Sequence, residues 1–340
     1  MRKQILFILS TFALLMHPLS LSAQNSTAGE QALTPDFDGD GRVGFSDFLA
    51  FAGQFGARQG DGRYDARYDL DGDGEIGFSD FLIFSSSFGK SGDEVALVVI
   101  PDENLRAVIE GLLGKASGAP ITRSEMARLT HLTARNANIR DLTGLEFATH
   151  LRSLNFGDEI VEGRYANSNS ISDLTPLSSM TNLIYLNLSG NRISDLTSLS
   201  GMTNLTYLHL SRNRLTDITS LSGLTRLESL FLTDNNILDI TSLSGMTNLT
   251  YLALYSNSIS DVTPLSGMTR LERLYLFFND ITDITPLSGM TSLRSLYLYS
   301  NSISDVTPLS GMTSLERLYL YSNRISDITP LSGLTNLTEL

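Results

Sequence analysis

Two stretches of this chain carry acidic residues at a spacing that can hold a hard cation. Residues 36–47 read DFDGDGRVGFSD and residues 69–80 read DLDGDGEIGFSD, the second starting 33 residues after the first. In each, aspartate fills the first, third, fifth and twelfth places: Asp36, Asp38, Asp40 and Asp47, then Asp69, Asp71, Asp73 and Asp80. Calcium takes about six to eight oxygen ligands, and a tight loop can turn alternate carboxylates inward around it. Gly41 and Gly74 permit the sharp turn at the sixth place. At the seventh, Arg42 and Glu75 offer backbone carbonyls; at the ninth, Gly44 and Gly77 leave a vertex to water. The spacing thus predicts two Ca2+ ions. Without them each cluster of carboxylates repels itself, so folding of this segment is expected to depend on calcium.

Each loop needs an element behind it. The segments FLAFAGQFG (48–56) and FLIFSSSFG (81–89) place Phe48, Phe51 and Phe55, and then Phe81, Phe84 and Phe88, on one helical face. Gly56 and Gly89 read as helix stops. Two short helices packed through their phenylalanines are expected, with Val43 and Ile76 pairing between the loops. Residues 34–90 resemble the type I dockerin family and, more broadly, the EF-hand. The resemblance implies calcium binding and a cohesin-like partner read through the tenth and eleventh loop residues. Here those are Phe45-Ser46 and Phe78-Ser79, bulkier than the small hydroxyl pair usual in that family.

From Leu183 the sequence repeats every 22 residues, through Leu205, Leu227, Leu249, Leu271, Leu293, Leu315 and Leu337. A fixed period of this size marks a solenoid. One unit, LIYLNLSGNRISDLTSLSGMTN (183–204), carries the L-x-x-L-x-L-x-x-N signature of leucine-rich repeats. Alternation turns Leu186 and Leu188 inward and Tyr185 and Asn187 outward on a short strand, and successive strands are expected to pair in parallel. The column Asn191 to Asn323 is expected to form a ladder satisfying backbone groups of the turns. The column Asp195 to Asp327 reads as a turn former. The return segment is too short for an α-helix, so a 3₁₀ turn or extended return is expected.

The array begins at Leu129, with Ala137 where the ladder asparagine belongs. The unit from Leu151 to Leu183 holds a 10-residue insertion around GDEIVEGRYA (157–166). Before it, VALVVIP (95–101) reads as a strand and Pro101 to Gly114 as an amphipathic helix with Leu105, Val108, Ile109 and Leu112 on one side. Thr122 and Glu125 form a capping box opening a second helix. A solenoid end exposes apolar edges, so residues 91–128 are expected to act as its linker and N-terminal cap. The sequence stops at Leu340, four residues into a new unit, so an open strand edge is expected there. Residues 95–340 resemble the internalin class of bacterial leucine-rich repeats, which share the 22-residue unit, the I-x-D-I/L-x-P-L return and a helical cap. That resemblance implies a surface or secreted protein that binds other proteins on the concave sheet face.

The expected architecture is therefore an α/β leucine-rich-repeat solenoid with a parallel concave sheet (129–340) and a helical cap. A small all-α, paired EF-hand-like module (34–90) precedes it. Residues 1–23 read as a signal peptide: Arg2 and Lys3, an apolar run from Ile5 to Met16, and Leu21-Ser22-Ala23 before Gln24. Residues 24–33 read as a flexible connection. No later stretch is long and apolar enough to span a bilayer, so an extracellular, soluble or surface-associated protein is expected. The chain has no cysteine, which excludes disulfides and thiolate zinc sites. A net charge of −13 argues against a nucleic-acid partner.

The outward strand positions supply the candidate binding residues: Tyr251, Tyr255, Arg273, Tyr275, Phe277, Tyr297, Tyr299, Arg317, Tyr319 and Tyr321. Tyrosine and arginine dominate interface energetics. A protein ligand on the concave face is the leading reading. Carbohydrate binding, to which stacked tyrosines also lend themselves, and a surface-assembly component docked through the calcium module are the others. No enzyme is expected. Beyond the leader the histidines are His131, His150 and His209, and no P-loop, GxGxxG or Ser/His/Asp order stands out.

Overall fold

A computed structural model describes residues 34–161, 164–166 and 169–340. The expected signal peptide (1–23) and connection (24–33) lie outside the described residues, as do two pairs within and beside the insertion, 162–163 and 167–168. The chain divides into two compact units. One runs to Val99 and takes in Glu110–Met126; the other comprises Ile100–Ile109 and Ala127–Leu340.

In the first unit each acidic loop leads into a ten-residue helix, α1 (Phe45–Gln54) and α2 (Phe78–Ser87). Phe48, Phe51 and Phe84 are buried, and the Phe51 and Phe84 rings stack with centroids 5.5 Å apart. Gly56 and Gly89 follow the helices with φ of +82° each, a conformation that only glycine takes without strain. Val43 and Ile76 do not pair with each other as expected. The Val43 N–H donates to the Lys90 carbonyl at 3.0 Å, and the Ile76 N–H to the Ala57 carbonyl at 2.9 Å. Each loop is thus bridged to the segment leaving the other loop's helix. The reason is geometric: each helix stop turns its chain back beside the opposite loop.

The segment read as linker and cap contributes to this unit. Val95 and Leu97 sit in one hydrophobic cluster with Val43, Phe48 and Phe84. The strand expected over VALVVIP shrinks to one antiparallel bridge, Leu97 with Thr122, because a four-residue helix, α3 (Gly92–Val95), takes its start. The helix α4 (Glu103–Leu113) forms, with Leu105 and Ile109 fully buried. Leu112, expected on that face, is exposed at the last turn, just before the chain reverses at Gly114 (φ +67°). The capping box opens α5 (Arg123–Met126): the Thr122 N–H donates to Glu125 at 2.9 Å and the Glu125 N–H to Thr122 Oγ1 at 3.3 Å.

The second unit is the repeat array. Nine three-residue strands form one parallel sheet in chain order: β1 (His131–Thr133), β2 (Ser153–Asn155), β5 (Tyr185–Asn187), β6 (Tyr207–His209), β7 (Ser229–Phe231), β8 (Tyr251–Ala253), β9 (Arg273–Tyr275), β10 (Ser295–Tyr297) and β11 (Arg317–Tyr319). β3 (Glu159–Val161) and β4 (Arg164–Ala166) form an antiparallel hairpin within the insertion. The register keeps repeat positions opposite one another, as with Leu186 and Leu208. Leu183, Leu186 and Leu188, and their equivalents in most later repeats, are entirely buried. Burying a leucine side chain contributes about 1.5–3 kcal/mol, so the repeated leucines are the principal cohesive term.

The asparagine ladder forms. Asn213 Nδ2 donates to the carbonyls of Leu210 in its own repeat and Leu188 in the one before, both at 3.0 Å; its Oδ1 accepts the Ile193 N–H at 3.0 Å. The ladder begins one step earlier than Asn191: Asn169, just after the insertion, accepts from Ala137 and Ile139 and donates to Ala134 and Phe156. The residue before each ladder asparagine from Asn213 on is left-handed, from Arg212 (φ +58°) to Ser322 (φ +55°). The return is a 3₁₀ turn such as Thr197–Leu199, whose Thr197 N–H and Oγ1 both donate to Asp195, at 2.8 and 2.6 Å.

Candidate functional site

Two places gather the candidate residues, one in each unit. In the loops, the carboxylates of Asp36, Asp38 and Asp40 have ligand oxygens within 4.8 Å of one another, and those of Asp69, Asp71 and Asp73 do the same. Backbone donors shape each cluster. Asp36 accepts from Gly39 at 2.9 Å and Gly41 at 3.0 Å; Asp69 accepts from Gly72 and Gly74, both at 2.9 Å. These bonds leave each carboxylate further lone pairs. Three like charges brought this close favour a divalent cation between them.

The twelfth-place residues behave differently from the others. Asp47 is wholly buried and accepts from the N–H groups of Phe37, Asp38 and Gly44, at 2.6, 3.1 and 2.7 Å. Asp80 does the same with Leu70, Asp71 and Gly77. Both clasp loop to helix, and neither is among the three carboxylates that converge within 4.8 Å in each loop. Burial raises their pKa above the usual aspartate value, opposed by these backbone donors. Arg42 and Glu75, named for their carbonyls, sit at the expected turn, and the Arg42 N–H donates to Asp40 at 2.9 Å. One residue was missed: Tyr64, between the loops, donates its hydroxyl to Asp69 at 2.6 Å. That bond pushes the phenol pKa up to about 12. Its signal was weak, a lone tyrosine in a polar connection.

In the repeat unit, every aromatic residue named as a candidate packs on another ring, and all but Tyr251, whose contacts are tilted, join a stack. Parallel strands lie about 4.8 Å apart, which is close to the spacing of stacked rings. Tyr275, Tyr297 and Tyr319 stack at 4.6 Å per step. Beside them Tyr255, Phe277, Tyr299 and Tyr321 stack at 4.2, 4.3 and 4.4 Å. Burial pushes the Tyr299 phenol up to about 12. Arg273 and Arg317 flank the first stack, both exposed.

The run is longer than the sequence indicated. Tyr185 stacks on Tyr207 at 4.3 Å, and rings continue through Phe231 (5.3 Å) and Tyr251 (4.7 Å) to Tyr275 (5.3 Å). The line crosses columns first at Ser229, from Tyr207 to Phe231, and again at Ala253, where Tyr251 fills the gap. Phe231 was overlooked because its register neighbours are His209 and Ala253. His209 lies against Phe231 at 4.8 Å, and burial lowers its pKa to about 4.

The insertion is tied to this face. The Asp158 carboxylate takes the Arg212 guanidinium at 2.8 Å and the Ser189 hydroxyl, and its side chain is only 5% exposed. Gly157 allows the approach: a Cβ there would lie 2.2 Å from Asn187 Oδ1.

The repeats match two leucine-rich-repeat family models, Leucine Rich repeats (2 copies) over residues 203–311 in overlapping segments and Leucine rich repeat over 167–215. No curated protein matches the chain in sequence. Among solved structures, an internalin (inlF) of Listeria monocytogenes is 33% identical over 71% of this chain and 75% of its own, with a TM-score of 0.61. Internalin C2 of the same organism is 30% identical over 71% of this chain and 95% of its own, TM-score 0.56. The chain belongs to the internalin class of leucine-rich-repeat proteins. The functional domain of another, InlJ, 28% identical with a TM-score of 0.54 over 70% of this chain and 54% of its own, includes a cysteine ladder; this internalin has no cysteine and uses asparagine. Among the described residues no helix is long and apolar enough to cross a membrane.

Proposed function

We propose that this chain is an exported binding protein that holds a protein ligand on the outward face of its repeat sheet and carries two calcium ions in its N-terminal loops. The unbroken line of rings from Tyr185 to Tyr319, with the second stack beside it, carries this reading. Rings locked by their neighbours lose little further entropy on binding, and tyrosine with arginine is the composition of interface anchors. The calcium reading rests on the converging carboxylate triplets, and export on the leader-like residues 1–23.

The test is retention of envelope or host-surface protein on the immobilised chain with calcium present, beside the variant Tyr255→Ala, Tyr275→Ala, Tyr297→Ala. A protein held by the wild type and released by the variant supports the reading; equal retention by both refutes it. Calorimetric titration is expected to show two calcium ions per chain, and none in a variant with Asp36, Asp40, Asp69 and Asp73 changed to Asn. A second reading, docking of a larger assembly through the loop module, draws on the outward Phe45, Leu49, Phe78 and Leu82, each more than half exposed. Loss of a captured protein on Phe45→Ala, Phe78→Ala with the tyrosines intact would favour it.

A further inference from the structure

The sheet face has a charge pattern that its aromatic content does not explain. Across the nine strands, the first and third strand residues and the residue two places beyond include no aspartate or glutamate. The whole chain holds 37 such residues and a net charge of −13. The cations at these positions are Arg135, Arg273 and Arg317, all exposed. Among the described residues Arg135 and Arg273 make no ion pair. Two carboxylates at the margins of the face are already matched. Asp158 pairs with Arg212. Glu339 lies 3.6 Å from Arg317 and accepts from the Tyr319 hydroxyl. His209 is neutral at physiological pH, its pKa lowered by burial.

The stacking decides which part of each ring a ligand meets. Interplanar angles of 9–20° at centroid spacings of 4.2–4.6 Å leave the inner rings of both stacks covered on both sides. A sugar lying flat on an aromatic residue needs an open ring face. What this surface offers is ring edges and phenol hydroxyls. The edge is the positive part of the ring quadrupole, the hydroxyl is a donor, and Arg273 adds full charge. All three favour carboxylate and carbonyl oxygens.

Taking the binding reading above as given, we propose that the ligand is a protein segment rich in aspartate or glutamate, laid across the strands with its acid groups against Arg273 and the tyrosine hydroxyls. The acidity of the remaining surface then repels the same partner everywhere else and directs it to this face.

The experiment is selection of a random-peptide phage library on the immobilised full chain with calcium present. Synthetic versions of the enriched peptides are then titrated against the wild type, Arg273→Glu, Arg273→Lys and the Tyr255/Tyr275/Tyr297→Ala variant. Enriched peptides are expected to be net acidic and to weaken as salt is raised. Arg273→Glu, an exposed substitution, should reduce their affinity about tenfold or more, the scale of one interfacial charge pair, and Arg273→Lys should recover most of it. Neutral or basic peptides that still require the tyrosines would overturn the acidic-ligand proposal and leave the binding reading intact. Peptides indifferent to the tyrosines would remove both. Oligosaccharides from chitin or cellulose held in a tyrosine-dependent manner would overturn the proposal in favour of glycan binding.

Discussion

Replacing Asn235 with alanine tests how the ladder holds the array together. Asn235 is 8% exposed. Its Oδ1 accepts the Leu215 N–H at 3.0 Å, and its Nδ2 donates to the carbonyls of Leu232, Leu210 and Thr233 at 3.0, 3.2 and 3.2 Å. The carbonyls have other donors. Leu210 also receives Asn213 at 3.0 Å, Leu232 receives Asn257 at 3.1 Å, and Thr233 receives the Arg212 N–H at 2.8 Å. The substitution therefore orphans one buried group, the Leu215 N–H, and should destabilise the array by about 1–3 kcal/mol. The double variant Asn213→Ala, Asn235→Ala removes both donors from the Leu210 carbonyl. Its cost should exceed the sum of the two single costs by about 1 kcal/mol. Urea unfolding gives the totals, and hydrogen exchange at the Leu215 amide localises the effect. A single variant within about 0.5 kcal/mol of wild type would refute the cost assigned to the Leu215 N–H, and a strictly additive double would refute the idea that shared carbonyls buffer the loss of one rung.

Other outcomes follow from the same structure. Tyr64→Phe should weaken calcium at one loop about tenfold and leave the other unchanged, since the hydroxyl orients Asp69 and no equivalent tyrosine touches Asp36 among the described residues; two-site calorimetry reads this, and equal sites in wild type and variant would count against it. Phe84→Ala, at a fully buried ring, should cost about 3–5 kcal/mol and unfold the loop unit before the repeats in a thermal scan; simultaneous loss of both units would contradict independent cores. His209 has a folded pKa lowered from 6.5 to about 4, so the unfolded chain binds its proton first and stability falls as pH drops from about 6.5 toward 4. His209→Gln should flatten that limb of the pH–stability curve, and an unchanged curve would show the ring to be solvated. Gly157→Ala should cost more than an ordinary surface substitution, because its Cβ would meet the buried Asn187 amide; a stability change below about 0.5 kcal/mol would mean that the Asn187 side chain relocates freely.

The repeat array was legible because it says the same thing many times. A strand of three residues carries almost no local signal, yet a leucine recurring every 22 residues fixes strand, register and inward face together. The loop aspartates were legible for a similar reason, being twice written. What escaped depended on contacts between distant positions. The crossed bridges of Val43 and Ile76 come from where each helix stop returns its chain. Asn169 was hidden by the insertion, although counting back from the Thr-Pro-Leu return at 175–177 finds it. Phe231 joins the ring line because Tyr207 and Tyr251, both in the neighbouring column, reach it from either side. Leu112 belonged to the right helical face and still ended in solvent, since the pattern sets the face and the end of the helix decides how far it stays covered.

The left-handed residue before each ladder asparagine from Asn213 on points to an untapped reserve of stability. That conformation is disfavoured for side chains other than glycine and, to a lesser degree, asparagine and aspartate, by about 1–2 kcal/mol. The array nevertheless places arginine at 212, serine at 256, 300 and 322, and phenylalanine at 278 there. Asparagine at the three serines relieves strain without touching the leucines or the rings, whereas Phe278 packs on Phe277 and Tyr299 and Arg212 holds Asp158. In a molecule built by repetition, a gain tolerated in one turn can be copied into the next, so thermal hardening of this scaffold can proceed turn by turn while its recognition surface is left alone.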